Sequence, residues 1–414
     1  MLEHFYKSTE WIQHLRRSYL ADILEEMAAI YHEWGSSRAN TTTRFRGTYY
    51  FGEWMRENVI SPKKVTPEDV DRFSAQFVPP LRKDRFHKNS YDGGLKAGVN
   101  MALKLLRQKY PPKASFIDRE ITSYTEFLRQ KRALADNSVA NHVFTIRPFL
   151  EAMFGKGPIR PGRVEPNDVH RYVLKQRDRH SLETVLGRNG QLRSFFRYWT
   201  LTGYDSKRLL GAIPKFRVQQ RCLPHAIINE EDYDTLYSAF DRTTATGRRD
   251  YAAVRCMADL GMRVGDVTIL TLDDINWRKG EIRIPNAKEG MPLWLPLPEA
   301  LGEALADYVR HGRPKSTSRV IFLRHVTPCW APYSNGMIRA AFRKASKRAG
   351  LPGKCGGTHT LRHSLATHLR RSKAPVKDMA DVLGHRALQS TTAYAQIDLP
   401  ALRAVAQPWP EGGQ

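Results

Sequence analysis

Along most of the chain apolar residues recur every three to four positions, and short proline- and glycine-rich breaks interrupt them, which is a helical pattern. In "SLETVLGRNGQLRSFFRYWTLTG" Leu186, Leu192, Phe195, Phe196 and Trp199 form one stripe, while Arg188, Arg193 and Arg197 project away from it. "THTLRHSLATHL" sets Leu361, Leu365 and Leu369 four apart. "PVKDMADVLGH" predicts a helix that buries Val376, Met379, Ala380 and Leu383, with Gly384 as its C-terminal cap. One region departs from this period. "EIRI" alternates, "PNAKEG" breaks the chain, and "MPLWLPL" alternates again, with Pro292 and Pro296 confining it to a sheet edge. The pattern predicts a mainly α chain with a small antiparallel β-sheet, a hairpin-like pair with Lys288 in its turn.

Two proline-bearing zones, "KYPPKAS" at 109–115 and "GAIPKFRVQQRCLPHAI" at 211–227, divide the helical pattern. They predict a helical N-terminal segment over 1–110, a second helical segment over 115–208, a linker over 209–228, and a third segment over 229–414. Within the first two, "VTPEDVDRF" from Val65 and "VEPNDVHRY" from Val164 recur, which suggests a duplicated helical module. The same motif is also a common capped helix start, with proline in the first turn. The 414 residues allow two or three domains with real cores. No apolar run approaches the ~18 residues of a membrane span. The opening "MLEHFYKSTEWIQHLRRSYL" lacks the apolar core of a signal peptide, so a cytoplasmic location without a membrane partner is expected. Cys222, Cys256, Cys329 and Cys355 lie far apart with no CxxC pair and read as small hydrophobes.

Charge then names a class of partner. Lys and Arg number 66 against 42 Asp and Glu, a formal charge of +24, which points to a polyanion. Arg339, Arg343 and Lys347, with Lys344 and Arg348 beside them, make one basic helix face suited to tracking phosphates, and Arg188, Arg193 and Arg197 offer a second. Arg82, Lys83, Arg85 and Lys88 make the first segment basic as well.

The candidate chemistry centres on "THTLRHSLATHL". His359, Arg362 and His363 stand at i, i+3 and i+4, so on a helix they leave one face together and can converge on a metal, an anion or water. Against zinc, the intervening "TLR" lacks the acid of a metalloprotease helix, and an arginine one turn away repels a cation. A phosphodiester suits the set better, because its transition state spreads charge over oxygens that arginine forks bind well. Arg263 in "DLGMRVGDV" is a second such fork, at a glycine-marked junction between helices.

"LGMR" with Asp266 three residues on, a lysine in a hairpin turn, "HTLRH", "LGH", and a tyrosine nine residues later together resemble the tyrosine recombinases, or phage-type integrases. The resemblance covers the third segment fully and the second in outline. It implies helical DNA-binding domains followed by a catalytic domain, forming a C-shaped clamp on DNA, with residues 1–110 as an accessory DNA-binding module. It also implies catalytic roles for six residues. Arg263 and Arg362 would clamp the scissile phosphate, and His359 and His385 would bond its oxygens or take the nucleophile's proton. Tyr394 would attack, and Lys288 would protonate the departing 5′ oxygen. Asp266 and His363 would support them, and no metal or cofactor is called for. The implied partners are double-stranded DNA with specific recombination sites and further copies of the chain, as a tetramer on two duplexes. Accessory DNA-bending or directionality proteins belong to the same expectation. In relatives the tail, here "IDLPALRAVAQPWP" with Leu399, Leu402 and Val405, packs on a neighbouring protomer; packing in cis is the alternative. The expected function is integration, excision or resolution of a mobile DNA element. A type IB topoisomerase would use the same groups, and a DNA-binding protein with a vestigial cluster is the non-enzymatic alternative.

Overall fold

The computed structural model describes the chain outside residues 78–87, 217–226, 286–292, 327–330, 352–355 and 384–414, and for 88–92 the backbone alone. Contacts divide the chain into two compact units: Leu106–Arg221, and Met1–Leu105 with Cys222–Gln414. Among the described residues no helix is long and apolar enough to cross a membrane.

The first unit, which begins at Met1, opens with α1 (Thr9–Arg16), α2 (Ala21–Glu33), α3 (Arg38–Glu57), α4 (Pro67–Gln76) and most of α5 (Lys88–Lys109), whose last turn lies past Leu105. Here α3 and α5 cross backbone to backbone. A Cβ on Gly98 would lie 2.0 Å from the Arg44 carbonyl oxygen, and one on Gly47 would lie 2.3 Å from that of Leu95. The buried Thr48 hydroxyl donates to the Gly98 carbonyl at 3.1 Å across this crossing. Two poor helix formers, Gly47 and Thr48, thus sit in the middle of a 20-residue helix because contact, not propensity, selects them. The recurring motif starts α4. Pro67 occupies the first turn, and Thr66 and Asp69 cap each other's backbone.

The second unit comprises α6 (Phe116–Gln130), α7 (Asp136–Phe154), α8 (Pro166–Arg177), α9 (Leu182–Leu201) and α10 (Lys207–Gly211). The repeat of the motif starts α8, where Glu165 and Asp168 form the reciprocal cap. As in the first set, a long helix precedes the capped one and another follows, and a buried threonine on the first long helix reaches the second: Thr145 on α7 hydrogen-bonds Gln191 on α9. The apolar stripe expected on α9 is broader than the sequence suggests. Val185, Asn189, Ser194 and Tyr198 are buried with Leu192, Phe195, Phe196 and Trp199, so α9 is the central helix of this unit. The Trp199 indole N–H donates to Glu120 at 2.7 Å, and burial raises the Glu120 pKa. Leu209 and Ile213 join the same core.

The remainder of the first unit holds α11 (Glu230–Ser238), α12 (Ala245–Asp259) and α13 (Val264–Ile269), then β1 (Ile275–Asn276), β2 (Glu281–Ile284) and β3 (Leu293–Pro296), then α14 (Glu299–His311), α15 (Asn335–Arg348), α16 (His359–Arg371) and α17 (Val376–Leu383). The hairpin pair is antiparallel, with Ile282 opposite Leu295 and Arg283 opposite Trp294, and β3 lies at the sheet edge. The sequence pattern did not predict β1, which adds a two-residue antiparallel pairing on the other side of β2. Cys256 is fully buried, and burial pushes its thiol pKa far upward; the other three cysteines lie outside the described residues. Two expected stripes are narrower than predicted. Val376, in the first turn of α17, is 43% exposed, and the helix packs through Met379, Ala380 and Leu383 instead. On α16 Leu361 is buried, while Leu365 and Leu369 are half-buried.

Gly98→Ala tests the glycine crossing. The new methyl group meets backbone that cannot rotate away, so the variant is expected to lose ~1–3 kcal/mol or more by overpacking. Hydrogen exchange along α3 and α5 should rise with it; an unchanged denaturation midpoint and exchange pattern would show that the helices part without cost.

Candidate active site

Helix α12 ends at Asp259, and the chain reverses through Gly261 (φ +59°) before Arg263 caps α13. The left-handed conformation favours glycine, and the space is tight as well: a Cβ there would lie 3.0 Å from Cδ2 of both Leu365 and Leu383. This reversal brings the Gly261 carbonyl to Arg362 on α16. One guanidinium nitrogen of Arg362 donates to the Gly261 oxygen at 2.6 Å, and the other terminal nitrogen donates to the Leu383 carbonyl at the end of α17. Arg362 is only 7% exposed. A single buried guanidinium therefore joins the exit of α12, the first turn of α16 and the last turn of α17. Its planar fork can serve two acceptors at once, which a lysine ammonium on a flexible stem does poorly.

Arg263, Asp266 and Arg362 line one cavity. Asp266, three residues beyond Arg263, is buried in the first turn of α13. Ile284 and Leu293 also line it; they end β2 and begin β3, the strands between which Lys288 falls in the sequence. Val382 and Leu383, immediately before Gly384 and His385, complete the wall. Lys288, His385 and Tyr394 themselves lie outside the described residues. Two cationic forks beside a single carboxylate give the wall a positive excess, suited to an oxyanion such as a phosphodiester.

His359 is the first residue of α16 and is exposed, and His363, one turn further, is half-buried. The two share a side of the helix, but neither lines the cavity formed by the arginines. On α15 Arg339, Arg343 and Lys347 form an exposed row opposite buried Ile338, Phe342 and Ala345. On α9 Arg197 is exposed and Arg193 half-buried. Arg188 is half-buried, donates to Gln176 at 2.5 Å and lies over the exposed Phe144 ring. The sequence reading missed the acceptors that hold Arg362. They are backbone carbonyls, which carry no residue-type signal, although the glycine two residues before Arg263 was a pointer to one of them.

Arg362→Lys tests the tie. One ammonium cannot serve both carbonyls, so a buried acceptor loses its partner at a cost of ~1–3 kcal/mol. Amide exchange over residues 376–383 should accelerate. Melting and exchange like those of the unmutated chain would mean that another group holds the end of α17.

Comparison with known proteins agrees with this geometry. The model of the phage integrase family matches residues 226–399. An integrase/recombinase of Sinorhizobium fredii, y4rA, is 33% identical over 367 residues, covering 88% of both chains. The tyrosine recombinase XerD of Listeria monocytogenes is 28% identical over 299 residues, which cover 69% of this chain and 96% of that protein. The solved structure of the site-specific recombinase XerH bound to a palindromic difH substrate shares the fold, with a TM-score of 0.58 and 16% identity over 83% of this chain and 94% of that one. The chain belongs to the phage integrase family, the tyrosine recombinases, enzymes that cleave and rejoin DNA strands without a metal ion.

Proposed function

We propose that Arg263 and Arg362 bind the non-bridging oxygens of a scissile phosphodiester while the Tyr394 phenolate oxygen attacks phosphorus. The phenol proton passes to His359 or His385. The bond to the 5′ oxygen breaks, and Lys288 supplies the proton that this oxygen needs to leave. The product is a 3′-phosphotyrosyl link, and attack on it by a 5′ hydroxyl from a second strand restores the phosphodiester. A phenol has a pKa near ~10, so the neighbouring cations matter: they favour the phenolate in which attack begins. The observation that carries this reading is the shared cavity of Arg263, Asp266 and Arg362, walled by residues on both sides of Lys288 in the sequence and by the residues just before His385. Asp266, buried beside Arg263 in sequence, orients it, and His363 supports α16.

The substrate is double-stranded DNA with specific recombination sites, gripped by residues 115–208 and 229–414 and joined through 209–228. Arg339, Arg343 and Lys347, with Arg188, Arg193 and Arg197, contact phosphates. The active assembly is a tetramer on two duplexes, with Leu399, Leu402 and Val405 as the linking surface and accessory DNA-bending or directionality proteins as further partners. Residues 1–110 form a further DNA-binding module. Its charge is uneven: residues 1–77 hold 10 Lys and Arg against 11 Asp and Glu, whereas 78–110 hold 8 against 2. The DNA contact of this module therefore belongs to its last third. The matched relatives are integrases and recombinases, which favours strand exchange that moves or resolves a mobile element over the relaxation activity of a type IB topoisomerase.

Lys288 offers the sharpest test of the roles. On a duplex carrying the site footprinted on the DNA that flanks its own coding sequence, Lys288→Ala is expected to cleave roughly 10²- to 10⁴-fold more slowly, as for a lost general acid. With sulfur at the 5′ bridging position the leaving thiolate needs no proton, and the variant should match the unmutated rate. Equal impairment on both substrates would place the acid elsewhere and leave Lys288 a binding role.

A further inference from the structure

Ile228 is the second described residue after 217–226 and the first to enter the core of the catalytic part. Its backbone N–H donates to the Ser364 hydroxyl oxygen on α16 at 2.8 Å, a contact between two residues with no exposed surface. The same hydroxyl donates to the Thr360 carbonyl one turn earlier at 2.8 Å. Ser364 thus accepts from the arriving chain with a lone pair while its proton is held by its own helix, a pairing that only a hydroxyl of this reach provides. One turn further along α16, the His368 ring meets the Tyr233 ring edge to face at 6.0 Å. Immediately after Ile228, Asn229 and Asp232 form the cap of α11. The chain is therefore fastened to α16 before it begins its first catalytic-domain helix.

Ser364 lies two residues past Arg362 and five past His359, on the same rigid helix. Both partners are fully buried, and any shift of the chain at Ile228 must either break this bond or be carried into α16. We infer that Ser364 is a positioning residue, which through its bond to Ile228 fixes α16, and with it Arg362 and His359, against the chain arriving from residues 217–226. The inference rests on the roles proposed above for Arg362 and His359. It adds a contact from the start of the catalytic core to the helix that carries the catalytic arginine.

The test uses the full-length chain and a nicked duplex carrying the footprinted site, with single-turnover formation of the covalent adduct as the rate. Ser364→Ala should lower the rate at saturating DNA by about tenfold, since small misplacements of catalytic groups carry penalties of this order or larger. The half-saturating DNA concentration should stay within about twofold of its starting value, because no DNA contact is removed. Hydrogen exchange at residues 227–229 should rise. Ser364→Thr retains the hydroxyl and should restore the rate; should Ser364→Ala not fold, Ser364→Cys, with its weaker hydrogen bond, is expected to show the same loss in smaller degree. A freed Ile228 amide with an unchanged adduct rate overturns the inference, as does a loss confined to DNA affinity, or a folded threonine variant that stays slow. Failure of the unmutated chain to form any adduct would instead overturn the proposed function.

Discussion

Everything that gives this chain a site depends on one buried guanidinium holding two carbonyl oxygens. Arg362 reaches from α16 to Gly261 at the end of α12 and to Leu383 at the end of α17. Helix ends leave carbonyls without intrahelical partners, and a buried one is costly unless something donates to it. Arginine satisfies two such ends with one rigid plane. The same residue then lines the cavity with Arg263, so the requirement that the fold close and the requirement that the site be cationic meet in one side chain. Gly261 is the counterpart: its positive φ favours a residue without a Cβ, and a Cβ there would press on the ends of Leu365 and Leu383.

From that joint the rest of the site follows by short connections. The reversal at Gly261 places Arg263 at the head of α13 and Asp266 within its first turn. The sheet supplies another wall, because β2 and β3 end and begin beside the cavity, with Lys288 between them in sequence. Helix α17 supplies the last wall and hands the chain on toward His385 and Tyr394. Helix α16 is in turn fastened by Ser364 to the start of the catalytic core. Arg362 is fixed by packing and hydrogen bonds, and a charge held in this way is preorganised, which is where most electrostatic stabilisation of a transition state originates.

Much of this was legible in the sequence, for identifiable reasons. Period and breaks gave α16, α17 and the β2–β3 pair, because apolar spacing and proline placement act locally. The ordered residues Arg263, Lys288, His359, Arg362, His385 and Tyr394 gave the family, because chemistry constrains residue type. What stayed hidden was set by backbone and by contact. The carbonyls that hold Arg362 have no sequence signature, and β1 pairs through only two residues. Arg188 reads as an outward charge, and its contacts with Gln176 and Phe144 leave no linear mark. The depth of α9 also escaped notice, since buried Asn189 and Ser194 look polar in a linear pattern. Ser364 carries no mark in the sequence of its partner, which lies 136 positions away.

The central claim is that this cationic cavity serves a tyrosine that becomes covalently joined to DNA. The most direct measurement is to trap the adduct on a nicked duplex in EDTA, digest it, and identify the DNA-linked peptide by mass spectrometry. The account predicts a single modified peptide, with a 3′ phosphate of the cleaved strand on the phenolic oxygen of Tyr394. A link to another residue, a link through a 5′ phosphate, or an adduct that forms only when a divalent metal is restored would contradict it.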